Sequence, residues 1–176
     1  TSLTGVEIDI TKKTDKDGYI SFGQIPLGDY TISESETSFW FVQPEDQEVV
    51  VESGDVVKEF YNVLARGTII VNKTAEDGIL EGFAFHLTGV SYGGIEVDEI
   101  ALTNENGIAH FENVPYGEFT VTEELSEDQA YVYVQNEAFT VDLRTDEESC
   151  EVNNCLIRQK VQAVKTSGND EIEGIT

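Results

Sequence analysis

The chain has 176 residues, 39% hydrophobic and 10% aromatic, enough to build one or two ordinary domains with cores. Its 35 Asp and Glu against 10 Lys and Arg give a net charge of -25, which repels nucleic acid and anionic membrane surfaces and argues against both as partners. No apolar run approaches the roughly 20 residues of a membrane helix, and Met is absent, so the chain reads as a section of a longer, processed protein with no membrane insertion in this section.

Helical periodicity is absent, whereas period-two alternation recurs in short segments separated by Gly, Asn and Asp. In chain order, a turn at TDKDG (14–18) opens the hairpin DGYISFGQIPLGDYTISE (17–34), and Phe39, Trp40 and Phe41 are predicted to form a strand packing into the core. Further strands are predicted at GTIIVNKT (67–74), EGFAFHLTG (81–89) and DEIALT (98–103). After a turn at NENG (104–107) come GIAHF (107–111), GEFTVTEE (117–124), YVYV (131–134), AFTVDL (138–143) and CEVNNCL (150–156). The class is all-β, a sandwich. Cys150 and Cys155, on one extended strand, would stand roughly 17 Å apart, too far to bridge, and read as two free thiols.

An internal repeat sets the domain grammar. DGYISFGQIPLGDYTISE aligns without a gap on NGIAHFENVPYGEFTVTE (106–123) at an offset of 89, and NVLARGTIIVNKT aligns on NCLIRQKVQAVKT, pairing Asn62 with Asn154 and Lys73 with Lys165. The expected units are therefore 1–66, lacking its first strand; 67–157, complete; and 158–176, the first strand and turn of a following unit. Lys73 to Gly89 spans 16 residues, and the tail from Lys165 run on into the head up to Gly5 spans 16 as well, so a Thr176-to-Thr1 joint is expected to be in register. Along it Ile172, Gly174, Ile175 and Leu3 would take the places of Leu80, Gly82, Phe83 and Leu87.

Strand faces give the repeated polar residues their meaning. Lys73 shares its face with Ile69 and Val71, Glu123 with Phe119 and Val121, and Asn154 with Cys150, Val152 and Leu156. Glu34, Asn62 and Lys165 repeat the arrangement beside Tyr30 and Ile32, Phe60 and Leu64, and Val161 and Ala163. Burying an unpaired charge costs several kcal/mol, so each trio must be mutually satisfied or chemically altered. Desolvation favours a neutral, nucleophilic amine and a protonated carboxyl, and beside a carboxamide these groups can form an amide and release ammonia. Asn153 adjoins Asn154 and a bulge would turn it inward; spacing and alternation favour Asn154.

The early-strand Lys, GFAFHLTG, NGIAHFENVPYGEFTVTE and the late-strand Asn together resemble the Cna-B type domains of Gram-positive adhesin stalks and pilins, over nearly the whole chain. The resemblance implies tandem antiparallel β-sandwiches of the prealbumin-like, reversed immunoglobulin kind. It further implies an isopeptide bond between Lys73 and Asn154 assisted by Glu123, and a second joining Lys165 to Asn62, assisted by Glu34, across the joint between units. The expected role is a load-bearing section of an extracellular, cell-wall-attached stalk or filament, with head-to-tail copies of itself as partners. The alternative is an adhesin in which a loop or the acidic face binds a host or matrix ligand.

Other signals carry less. DKDG and NENG lack the full spacing of a calcium loop and read as plain turns. His86 and His110 stand apart from any clustered ligand set, so neither a metal nor a cofactor is expected. Asn72-Lys73-Thr74 fits the glycosylation pattern but reads as strand. Ser, His and Asp occur without a catalytic signature, and no enzyme activity toward an external substrate is expected.

Overall fold

The structure is a computed structural model, and it describes residues 1–166. Four short strands lie in the first part, β1 (Gly28–Ile32), β2 (Phe41–Val42), β3 (Gln47–Val51) and β4 (Val63–Leu64), with β1 bonded to β3 and β2 to β4, both antiparallel. The second part holds β5 (Arg66–Ala75), β6 (Ala84–Ser91), β7 (Glu96–Leu102), β8 (Ile108–Pro115), β9 (Gly117–Glu124), α1 (Glu127–Val132), β10 (Phe139–Leu143) and β11 (Glu147–Asn154). Its strands form two sheets, β11-β5-β8 and β10-β9-β6-β7.

Alternation builds the sandwich between them. Gly67, Ile69, Val71 and Lys73 are the buried residues of β5, and Gly117, Phe119, Val121 and Glu123 those of β9. Four phenylalanines, Phe83, Phe85, Phe111 and Phe119, fill the core with Leu87 and Leu143. Full burial of each such side chain contributes about 2 kcal/mol. One pair departs from the expected antiparallel sandwich: β11 runs parallel to β5, with Val152 opposite Lys73. A parallel pair cannot be closed by a hairpin, and here the whole unit is the crossover, so its first and last strands lie side by side.

The strand expected at YVYV is instead the end of α1 and an isolated bridge from Tyr133 to Leu156. A capping box explains the helix: Gln129 N–H donates to Ser126 Oγ at 3.2 Å while Ser126 N–H donates to Gln129 Oε1 at 2.9 Å. Phe39 and Trp40 depart from expectation in lying in the turn before β2 rather than in a strand; Trp40 does pack against the core, and both rings meet Tyr92 of the second part, with centroids 5.2 and 5.9 Å away. Both thiols are free; burial pushes the Cys150 thiol up to about 11, whereas Cys155 is exposed.

The repeat extends to individual hydrogen bonds. Asp15 Oδ1 accepts from the N–H groups of Asp17 and Tyr19, and 89 residues on Asn104 Oδ1 accepts from Asn106 and Ile108. Ser2 Oγ accepts from Val6 N–H as Ser91 Oγ does from Ile95, Ser2 bridges to Gly28 as Ser91 pairs with Gly117, and Gly5 and Gly94 share φ near 80°. Ser2 therefore stands in the place of Ser91, and Gly5 in that of Gly94. This corrects the expected place of the head, which set Gly5 on Gly89. Ile172, Gly174 and Ile175 lie outside the described residues.

The segment 19–25 is not a strand, although its counterpart is β8. Strand β8 takes its ladder from β5, and among the described residues no strand occupies the corresponding place beside 19–25.

Candidate functional site

Lys73 comes from β5, Asn154 from the neighbouring β11 and Glu123 from β9 of the facing sheet. All three side chains turn into the sandwich, with relative exposures of 2%, 0% and 4%. Because Val152 is the pairing partner of Lys73, Asn154 is its diagonal neighbour on the same face, about 7–8 Å between backbones and within reach of a lysine side chain. Asn153 points outward, where its Oδ1 accepts from Thr74 Oγ1 at 3.0 Å in an exposed position, so the inward carboxamide is that of Asn154.

Across the sandwich, Asn154 Nδ2 donates to Glu123 Oε2 at 3.0 Å. The other carboxyl oxygen, Glu123 Oε1, is buried without a hydrogen-bond partner. Lys73 Nζ donates to the carbonyl of Thr74 at 2.9 Å and lies 3.7 Å above the Phe83 ring. Burial pushes the Lys73 ammonium below the usual lysine range, against the opposing pull of Glu123 and Asp77. The result is an amine biased toward its uncharged form, a carboxamide and a carboxyl, shut away from water together.

Three neighbours complete the walls; alternation sets Phe83 in phase with Phe85 and Leu87 and reads Tyr133 as strand, but it misses Asn136. Phe83 is held by Thr103, whose backbone and hydroxyl bond its carbonyl and amide at 2.9 Å each. Tyr133 packs edge-on to Phe83 and donates its hydroxyl to Asp77 Oδ2 at 2.6 Å, and burial with that bond raises the phenol to about 12. Asn136 Nδ2 donates both to Glu123 Oε2 at 2.9 Å and to Asn154 Oδ1 at 3.1 Å. Asn136 lies outside any strand, so no periodicity points to it; the capping box that starts α1 was the available clue that this stretch folds back.

The second constellation is only partly assembled. Asn62 Nδ2 donates to Glu34 Oε1 at 3.1 Å, and Thr37 Oγ1 donates to the same oxygen at 3.0 Å, in half-buried surroundings. Lys165 is exposed and outside any strand, so this chain does not bring its own lysine to that pair.

A family model described as SpaA, prealbumin-like fold domain, matches residues 67–155. The chain belongs to that family. The SpaA-type match covers the unit that holds Lys73, Glu123 and Asn154, and the expected Cna-B resemblance is borne out. Among solved structures, the Bacillus anthracis TIE protein is 25% identical, with a TM-score of 0.66 over 82% of this chain and 28% of that one. The full-length major pilin SpaD of Corynebacterium diphtheriae is 18% identical, with a TM-score of 0.43 over 52% of this chain and 30% of that one. The minor pilin GBS52 of Streptococcus agalactiae is 15% identical, with a TM-score of 0.46 over 86% of this chain and 70% of that one. No curated protein matches. The SpaA-type chain thus spans less than a third of the first two structures, and among its described residues no helix is long and apolar enough to cross a membrane.

Proposed function

We propose that Lys73 and Asn154 become joined by an isopeptide bond that ties the first strand of the unit to the last. The observation that carries this reading is the co-burial of amine, carboxamide and carboxyl, with Asn154 already bonded to Glu123. The uncharged amine of Lys73 attacks Cγ of Asn154. As the new C–N bond forms and the bond from Cγ to Nδ2 breaks, Glu123 takes a proton from the amine and passes one to Nδ2. Ammonia leaves, and a neutral amide replaces an amine that was costly to bury.

The bond would serve a load-bearing section of an extracellular, cell-wall-attached stalk or pilus. Side by side and parallel, β5 and β11 would be the terminal strands through which tension enters and leaves the unit. Closing them covalently prevents peeling and lowers the population of the open state that proteases cut. A charge of -25 keeps a long array soluble. Intact-mass spectrometry with peptide mapping tests this: loss of one ammonia mapped to Lys73 and Asn154 supports it, and the full theoretical mass with free Lys73 sinks it.

The first part of the chain suits a unit of the same kind awaiting its first strand. An open cleft runs between segments 19–25 and 53–57, floored by Ile32, Val49 and Val51. These flanks are the counterparts of β8 and of the approach to β11, so the cleft is the place that β5 fills in the complete unit. The strand carrying Lys165, from the neighbouring unit of a head-to-tail assembly, fits this cleft and delivers its amine to Asn62 and Glu34. Detergent-boiled samples of the chain should show a ladder of linked copies that Lys165→Ala abolishes; an unlinked band in the unsubstituted chain refutes linkage between separate chains.

A further inference from the structure

We infer that Asn136 is a fourth catalytic residue of the site, the donor that stabilises the negative charge developing on Asn154 Oδ1 when Lys73 attacks. The inference rests on the Lys73–Asn154 reading and deepens it.

Attack on a carboxamide pushes an electron pair onto its oxygen, and a preorganised N–H aimed at that oxygen lowers the barrier. Glu123 Oε2 does not meet this need, because it is engaged by Asn154 Nδ2, the leaving nitrogen. The described hydrogen bond to Asn154 Oδ1 comes from Asn136 Nδ2 at 3.1 Å. The orientation of the Asn136 carboxamide follows from its neighbours: its second bond is to Glu123 Oε2 at 2.9 Å, and a flipped amide would set oxygen against two acceptor oxygens.

The segment that carries Asn136 is stitched on both sides. Gln135 Nε2 donates to the carbonyl of Glu123 at 2.8 Å, holding it to β9. On the other side Val134 N–H donates to the Cys155 carbonyl at 2.9 Å and Ile157 N–H to the Val132 carbonyl at 2.8 Å, holding it to the chain beyond β11. Asn136 is thus fixed to β9, which carries Glu123, and to the chain just beyond β11, which carries Asn154, before reaction occurs.

Roles divide accordingly. Lys73 supplies the electron pair for the new C–N bond, and Asn136 N–H holds the oxyanion at Oδ1. Glu123 moves the proton from the amine to Nδ2, the carbonyl re-forms, and ammonia departs. Asn136 is chemically unchanged at the end. Both carboxamides touch Glu123, and the asymmetry between them selects the target: Asn154 has its carbonyl polarised, whereas Asn136 does the polarising.

The test follows ammonia loss over time by intact mass in the full chain made by cell-free synthesis, for the unsubstituted protein, Asn136→Ala and Asn136→Asp. Asn136→Ala is expected to slow crosslinking about 100-fold, the scale for loss of one oxyanion donor. Asn136→Asp, lacking an N–H, is expected to be slow at neutral pH and to gain on the unsubstituted chain as pH falls and its protonated carboxyl becomes a donor. Thermal melting of both variants on a Lys73→Ala background, where no bond forms, separates folding from reaction. Unchanged rates in folded variants overturn the role of Asn136 alone, as does a slowing fully matched by loss of folding on that background. A missing ammonia loss in the unsubstituted chain overturns the Lys73–Asn154 reading and this inference with it.

Discussion

Asn154 and Glu123 meet across the sandwich, the carboxamide of the last strand bonded at 3.0 Å to a carboxyl of the facing sheet, with the second carboxyl oxygen left bare. Removing that carboxyl therefore has two separable effects. Glu123→Ala should leave the chain at its full theoretical mass, with Lys73 and Asn154 uncoupled, because the proposed proton carrier is gone. It should also leave the buried donor of Asn154 without its acceptor, at a cost of about 1–3 kcal/mol, while Asn136 keeps its bond to Asn154 Oδ1. Intact mass reads the first effect and denaturant unfolding the second, while Asn153→Ala should leave both unchanged.

Much of this arrangement was legible from alternation, because burial in a two-sheet sandwich follows strand parity. Lys73, Glu123 and Asn154 each fall in phase with their apolar neighbours, and all three are buried. What alternation does not encode is anything fixed outside strands. Asn136 reaches the site from a connection and Tyr133 from a helix end, where period-two reasoning has no purchase, whereas Phe83 keeps the phase of Phe85 and Leu87. The expected place of the head failed for a related reason: matching Gly5 to Gly89 used spacing alone, whereas the serine-centred turns at Ser2 and Ser91 fix the correspondence by hydrogen bonds. Phe39 and Trp40 misled because apolar residues beside a boundary can pack on the neighbouring unit as well as on their own.

Gly107 links the fold to the chemistry. Its φ is 79°, its carbonyl accepts from Lys73 N–H at 2.7 Å, and an added Cβ would press on the Lys73 carbonyl. Gly107→Ala therefore meets both an unfavourable backbone conformation and rigid backbone on β5. A loss of at least about 1–2 kcal/mol is expected from the conformation alone. The strain falls on the strand carrying Lys73, so the proposed ammonia loss should slow as well. Gly78→Ala, at φ 78° with open space around it, is the control: it should cost stability without slowing the reaction.

His86 gives the outer face of the sandwich a pH dependence. Its ring nitrogens bond Asp98 Oδ1 at 2.7 Å and Glu124 Oε1 at 2.9 Å, and these bonds raise the imidazole above its ordinary 6.5, the Asp98 bond foremost. A raised folded value means that the folded state holds the proton more tightly. The stabilisation is thus fully present below about pH 6.5, the unfolded value, and is lost as pH rises through the folded value. The many carboxylates titrate too, so the measurement is the difference in melting temperature between the unsubstituted chain and His86→Ala. That difference should shrink from acid toward alkaline pH, and a difference independent of pH would refute the assignment.

The junction between the two parts of the chain is built to resist bending. Val63 and Leu64 pair with β2, Ala65 N–H bonds the Trp40 carbonyl at 2.8 Å, and Tyr116 N–H bonds the Ala65 carbonyl at 3.0 Å. The connecting residues are therefore tied to both sides rather than left as a free linker. Over them the Arg144 guanidinium sits 5.0 Å from the Phe39 centroid and 5.4 Å from that of Tyr92, while Arg144 and Tyr92 both bond Asp142. Such cation–π and edge contacts contribute about 1 kcal/mol each at partly exposed sites. Tyr92→Ala removes the ring that Phe39, Trp40 and Arg144 share, so it should broaden the distribution of distances between labels placed on the two parts, read by single-molecule fluorescence transfer. Arg144→Ala should broaden it less, and the double variant should resemble Tyr92→Ala, because the arginine works through the same ring. Additive broadening would mean that the two residues brace the junction independently.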